Sequence, residues 1–288
     1  MKYPASELVL DSKGHVYHLG ISPEDIAPTI LLVGDQDRVS AISAFFDEIT
    51  HQSKHREFVC HTGIYKGKRI TALSTGIGTD NIDIVINELD ALVNIDLENR
   101  ENRPALTSLN LIRIGTCGIL QADIDVHSYI LSSHAVGIDN VAHFYPIPFN
   151  PEEEAIAKAL DAFVGFPEEI IPYCAESSSG LMQKLDGEKV RKGITVTSSG
   201  FYAPQGRSLR LGTRTSEVNE KLEQFAFGNH RVVNFEMESS ALFALGKAMG
   251  HQCITICLGI ANRPRMEFSK GYEHEMNGLI RYVLDRIS

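Results

Sequence analysis

Short apolar runs, each followed by a segment of helical period, predict an α/β fold built on a largely parallel or mixed sheet. Three observations carry this. The strand-then-helix pattern recurs from residue 29 to the end, no internal repeat divides the chain, and no Pro/Gly/Ser linker separates domains. At 288 residues there is room for one large α/β domain or two small ones, and the missing linker favours one domain over residues 1–288.

The elements follow in order. Residues 29–34 are an apolar run closed by Gly34, and the spacing of Val39, Ile42 and Phe45 behind Asp35 and Arg38 reads as turn and helix. Residues 69–73 form a second strand ending in Ser74-Thr75-Gly76-Ile77-Gly78, with Ile82, Val85, Ile86, Leu89 and Leu92 marking the next helix. Residues 109–114 are a third strand, ending in Gly115-Thr116-Cys117-Gly118, and residues 126–131 are strand-like too. An amphipathic helix at 152–164 and a strand at 193–196 come next. Residues 232–235 and 238–249 repeat strand then helix, 251–260 is a long apolar strand, and 272–287 is a closing helix. Two polar segments read as insertions, 96–108 as a surface loop and 167–192 as a longer excursion.

Composition narrows the function. Hydrophobic content of 43% and charged content of 22% are those of an ordinary soluble globular protein. No apolar run reaches the ~20 residues that span a bilayer. The start, Met1-Lys2-Tyr3-Pro4, lacks a signal-peptide core, so a cytoplasmic location without membrane association is expected. Five cysteines (Cys60, Cys117, Cys174, Cys253, Cys257) without a CxxC pair argue for reduced thiols rather than disulfides or a zinc site, and no metal is expected. A net charge of −10 disfavours nucleic acid, although a local arginine cluster can still hold a small anion.

Three strand ends combine small residues with an arginine or hydroxyl: Gly34 with Arg38, Ser74-Thr75-Gly76, and Arg113-Ile114-Gly115-Thr116. Small residues let backbone N–H groups approach a ligand, and ligands of open α/β sheets bind at the carboxyl ends of strands. Taken singly, each is equally an ordinary turn. Neither GxxxxGK[ST] nor GxGxxG is present, which counts against a P-loop NTPase and a dinucleotide enzyme. No HExxH or GxSxG supports a zinc peptidase or an α/β-hydrolase. Cys117 has no identifiable base beside it and reads as a packed residue.

Two segments are more specific. In Phe201-Tyr202-Ala203-Pro204-Gln205-Gly206-Arg207 an aromatic face can stack a planar base, while Gln205 and Arg207 match an imide edge; a plain turn on Pro204 and Gly206 is the other reading. Glu236-Met237-Glu238 sits between an apolar strand and an apolar helix. Two carboxylates there need hydrogen-bond donors, such as the hydroxyls of a sugar, or else form an acidic first turn that the helix dipole favours.

In order along the chain stand His18-Leu19-Gly20, Gly34-Asp35-Gln36-Asp37-Arg38, His55-Arg56-Glu57-Phe58, Ser74 to Gly78, Arg113 to Gly118, Phe201 to Arg207, Asn234 to Ser239, and Asn262-Arg263. This collinear set resembles nucleoside phosphorylase family I, closest to its uridine-cleaving members, from about residue 16 to the C-terminus. The resemblance implies a three-layer α/β/α subunit with a central mixed sheet, self-associated as a dimer or hexamer with shared active sites. It implies an enzyme that takes a nucleoside and phosphate, needs no cofactor, and reversibly converts uridine and phosphate to uracil and ribose 1-phosphate.

By motif, Gly34, Arg38, Arg113 and Thr116 would bind phosphate, with Arg56 arriving from the neighbouring subunit. Met237 and Glu238 would hold ribose, with Thr116 near it and His18 reaching across the dimer. Phe201, Gln205 and Arg207 would read uracil, Arg263 would sit near its O4 edge, and Glu236 would order the base pocket. Arg113, Thr116 and Glu238 would be the catalytic set.

Purine-specific relatives commonly carry an Asp after the late strand, and here it leads into Gly259-Ile260-Ala261-Asn262-Arg263, which favours a pyrimidine. Some relatives bind a monovalent cation through a Glu, an Ile and a Ser. Glu57 and Ile77 match, but Asn81 replaces the Ser, so a cation is not assigned. Alternatives are a phosphorylase for another nucleoside, a nucleoside hydrolase, and a non-catalytic nucleoside-binding protein on the same scaffold.

Overall fold

The computed structural model describes residues 2–288. In β1 (Thr29–Val33), Ile30 and Leu32 enter one core while Leu31 and Val33 enter another, as expected of a strand covered on both faces. Asp35 accepts the Asp37 N–H at 2.9 Å and starts α1 (Gln36–Ser43). β2 (Glu48–His55) and β3 (Phe58–Tyr65) form an antiparallel hairpin absent from the sequence expectation. β2 is a mostly exposed, polar edge strand and carries no apolar alternation to betray it. β4 (Lys68–Ser74) returns parallel to β1, and Gly78, at φ 97°, leads into α2 (Thr79–Asn94). The expected surface loop at 96–108 carries a short hairpin, β5 (Ile95–Asp96) with β6 (Glu101–Asn102).

β7 (Asn110–Ile119) does not stop at 114. It runs through Gly115-Thr116-Cys117-Gly118, so this motif is strand and not a terminal turn. β8 (Tyr129–Gly137) starts later than the expected 126, because the Ser128 N–H closes a turn on the Asp125 carbonyl and His127 takes φ 71°. It extends six residues past 131, where the later strands Val190–Thr197 and, from His134, Tyr173–Glu176 pair with it. α3 (Pro151–Val164) opens with a reciprocal Asn150–Glu153 capping box. The stretch 167–192 is woven into the sheet. β9 (Tyr173–Glu176) pairs with β8 and buries Tyr173, Cys174 and Ala175, and α4 (Ser179–Leu185) follows.

β10 (Val190–Thr197), α5 (Val218–Gln224), β11 (Ala226–Phe227), β12 (His230–Glu236), α6 (Ser239–Ala248), β13 (Gln252–Asn262), β14 (Glu267–Phe268) and α7 (Glu273–Ile287) complete the chain. The main sheet runs β11-β12-β10-β8-β13-β7-β1-β4-β3-β2, with β9 beside β8 and β14 beside β13. β1 lies parallel to β4 and β7, whereas β8 lies antiparallel to β13, so the sheet is mixed. α2 and α6 cover one face and α1, α4 and α7 the other, which makes three layers.

β12 pairs with β10 and also with β7, Phe235 lying opposite Gly118. The strands β7, β13, β8, β10 and β12 therefore close into a ring. That closure brings the Thr116 region beside the Glu236 region. All five cysteines are buried and unpaired, and burial pushes the Cys60 thiol up to about 12.

Candidate active site

A cavity of about 920 Å³ opens at the carboxyl ends of β1, β7, β12 and β13. Its wall includes Gly34, Arg38, Arg113, Thr116, Met237 and Glu238, and also the base-reading candidates Phe201, Gln205 and Arg207. With Glu236, which also lines it, ten residues assigned by motif thus meet in one space. His18, Arg56 and Arg263 are not on this wall.

At one end, Gly34 passes so close to β4's exit that a Cβ would meet the Gly76 carbonyl at 3.3 Å. The backbone therefore forms the wall here. Arg38 projects from α1 and makes one long contact, Nη1 to the Ile114 carbonyl at 3.5 Å. Burial, and then the like charge of Arg113, hold Arg38 below its ordinary value. An anion placed between the two arginines relieves that repulsion.

Arg113 is 4% exposed. Nη2 donates to Glu238, Nη1 stands 3.7 Å from Glu236, and the buried Nε has no partner. Burial opposes its charge, but the two carboxylates outweigh this and hold Arg113 above its usual value. Glu238 is 3% exposed and also accepts the Gly78 N–H at 2.9 Å. Burial nevertheless raises its carboxyl above the usual range against the pull of Arg113.

The helix-start reading of the acidic segment holds for Glu236. Glu236 accepts the N–H groups of Glu238 and Ser239, at 3.0 and 2.9 Å, and the hydroxyls of Ser239 and Thr197. Those bonds occupy its oxygens, so Glu236 anchors the start of α6. Its backbone carbonyl accepts the Ser198 N–H at 3.0 Å, and the Ser198 hydroxyl accepts from Gln205 Nε2 at 2.9 Å. Glu236 is thereby linked through Ser198 to the turn that carries Gln205.

In that turn Gln205 is 4% exposed, and its Oε1 accepts from Arg207 Nη1 at 2.6 Å. The Arg207 guanidinium lies 3.7 Å from the Phe201 ring centroid. Phe201 is 46% exposed, so one ring face is taken by Arg207 and the ring keeps surface for a planar ligand. Burial and then Arg263 lower Arg207 from its ordinary value.

Arg263 lies off the cavity wall. Its stem packs over Gly118 and its Nη2 donates to the Gln205 carbonyl at 3.3 Å, behind the turn. His18 and Arg56 share a different patch. His18 Nδ1 lies 2.7 Å from Glu88, the His18 carbonyl accepts from His55, and exposed Arg56 donates to the Tyr17 hydroxyl at 3.3 Å. Glu57 and Asn81 stand on the cavity wall.

Phe235 and Ile260, inside cited motifs but given no role there, line the cavity, as do Phe268 and Tyr272, which carried no signal in the sequence. An aromatic near the chain end looks the same whether it packs on a core or on a ligand site. Ser198 was also missed, since a single serine after a strand marks nothing by itself.

A family model for the phosphorylase superfamily matches residues 28–282. The chain is 31% identical to a uridine phosphorylase of Thermococcus kodakarensis, covering 95% of this chain and 87% of that protein. It is 29% identical to a DeoD-type purine nucleoside phosphorylase of Oceanobacillus iheyensis, covering 83% and 84%. A solved nucleoside phosphorylase of Trypanosoma brucei, described as showing uridine phosphorylase activity, superposes with a TM-score of 0.88 at 27% identity, covering 97% and 99%. The chain belongs to the phosphorylase superfamily. Among the described residues no helix is long and apolar enough to cross a membrane.

Proposed function

We propose that the protein is a uridine phosphorylase, converting uridine and inorganic phosphate reversibly to uracil and ribose 1-phosphate. The observation that carries this is one cavity with two arginines at one end, the buried Arg113–Glu238 pair in the middle and the Phe201–Gln205–Arg207 turn at the other.

Phosphate sits against Gly34, Arg38, Arg113 and Thr116, where the unpartnered Arg113 Nε adds a donor. Glu238, with Met237, accepts the ribose hydroxyls, and Arg113 beside it couples the sugar site to the phosphate site. A phosphate oxygen attacks C1′ while the C1′–N1 bond breaks and its electron pair passes to the uracil ring. The sugar gains cationic character, stabilised by phosphate, and the base gains negative charge, stabilised by donors on Gln205 and Arg207. Uracil then takes a proton from solvent. Orientation of the sugar by Glu238 is worth several kcal/mol of the barrier.

A pyrimidine is favoured at the end of β13. Asn262 donates to the carbonyls of Gln121 and Ile124, at 3.0 and 2.8 Å, and accepts the Arg265 N–H. Its carboxamide is committed to the backbone, and an amide at this position cannot protonate a purine nitrogen as an Asp would. His18 and Arg56, outside their own chain's cavity, complete the site of a neighbouring subunit, so the working unit is at least a dimer.

The test is a panel of nucleosides assayed by HPLC with and without phosphate. Uracil release that requires phosphate is the expected result. Equal release without phosphate would identify a hydrolase, and uridine binding without turnover at saturating phosphate a non-catalytic protein.

A further inference from the structure

Gln205 is held on irregular backbone, and what ties that backbone down is a residue outside every motif. The turn comprises Ala203–Gln205 as one short 3-10 segment, with Gly206 at φ 67° closing it. Its own backbone bonds are few: Gln205 N–H and Arg207 N–H to the Tyr202 carbonyl, and Gly206 N–H to the Ala203 carbonyl. Phe201 and Tyr202 in front of it are 46% and 56% exposed. Such a segment positions a side chain only if it is pinned to regular structure.

Asn219 supplies the pin. It lies in the first turn of α5, flanked by Val218 at 5% exposure and followed by Leu222 at 0%, both in the core under β10 and β12. Its carboxamide lies between the Gln205 carbonyl and the Arg263 guanidinium. A carbonyl only accepts and a guanidinium only donates, so the amide must offer its NH2 to Gln205 and its oxygen to Arg263. In that orientation the distances are 3.3 and 2.9 Å. Arg263 Nη2 also donates to the same Gln205 carbonyl at 3.3 Å, which closes a triangle. The fit is tight, since a Cβ on Gly206 would meet the two terminal atoms of the Asn219 amide at 2.7 and 2.9 Å.

We propose that Asn219 is a positioning residue for base recognition, acting with Arg263 as a clamp on the Gln205 backbone. This rests on the phosphorylase reading and deepens it. The clamp joins three separate pieces of chain: the turn, the start of α5 and the end of β13. It sets the distance from Gln205 and Arg207 to the imide edge of the base, and leaves the phosphate end untouched. Arg263 accordingly acts from behind the turn, through Gln205.

Asn219→Ala and Asn219→Asp test this. Alanine removes both contacts, and aspartate keeps the contact to Arg263 but sets a second oxygen against the Gln205 carbonyl. Both are expected to raise KM for uridine and Kd for uracil, measured calorimetrically, by about tenfold, while KM for phosphate stays within about twofold. A merely structural role would lower the melting temperature and leave the ratio of the two KM values unchanged. Unchanged uracil affinity in both variants, or a parallel rise in both KM values, would overturn the proposal. Wild-type protein that neither binds uracil nor releases it with phosphate would instead overturn the functional reading, and the clamp's role in base recognition with it.

Discussion

Arg113 and Glu238 depend on each other. Both are buried, and removing one leaves the other charged without its partner, which typically costs 3–5 kcal/mol, an order-of-magnitude figure. Arg113→Ala is expected to lower the melting temperature by several degrees and to raise KM for phosphate at least about tenfold, since a hydrogen bond to a charged group is worth about 1.5–3 kcal/mol. An unchanged phosphate KM would remove Arg113 from the phosphate site. Glu238 carries a pH prediction. It must be ionised to accept hydroxyls, and burial raises its carboxyl, so it takes up its proton above the ~4.3 of a free glutamate. The rate, as kcat/KM for uridine, is therefore expected to fall on the acid side from a point above that value. A profile flat down to the free-glutamate value would contradict this assignment.

At the scale of elements, β7 decides the geometry. Arg113, Gly115 and Cys117 share a face of the strand, and the Arg113 guanidinium folds back over position 115. A Cβ on Gly115 would fall 2.0 Å from Arg113 Nη1, at the far end of a side chain that can shift only by leaving its carboxylates. Gly115→Ala is thus expected to raise the phosphate KM in the direction of Arg113→Ala, with a smaller loss of melting temperature because Arg113 keeps its charge in the site. Equal phosphate affinity in this variant would mean that Arg113 can bind from another rotamer. The extension of β7 to Ile119 was not legible in the residues, because Gly115-Thr116-Cys117-Gly118 has the composition of a turn. It is strand because β13 pairs with it throughout and β12 joins from the other side at Gly118 and Ile119. β2 is illegible in the sequence for a different reason: a polar edge strand looks like a loop until a neighbour pairs with it.

For the whole molecule, the placement of His18 and Arg56 yields the most decisive expectation. Neither reaches its own chain's cavity, and they lie together around Tyr17. If they complete a neighbour's site, Arg56→Ala and Glu238→Gln are each inactive alone. Unfolded together and reassociated at equal amounts, they would recover about a quarter of wild-type activity, because half of the dimers of a symmetric pair are hybrids with one intact site of two. No recovery, or an active monomer by gel filtration, would place the whole site within one chain.

The resemblance carried by the collinear motifs implied the three-layer α/β/α class, and those motifs singled out Gly34, Arg38, Arg113 and the Glu236–Glu238 segment, because each is a local pattern of residue type at fixed spacing. Tertiary structure alone decided how those pieces are used. Ring closure of β7 with β12 set Arg113 against Glu238 and turned Glu236 to the start of α6. Docking of α5 under the base turn put Asn219 behind Gln205 and drew Arg263 away from the cavity wall. Apart from the local bond of Glu236 to Ser239, these contacts span from 14 residues, between Gln205 and Asn219, to 125 residues, between Arg113 and Glu238, and no local pattern encodes a partner at that distance.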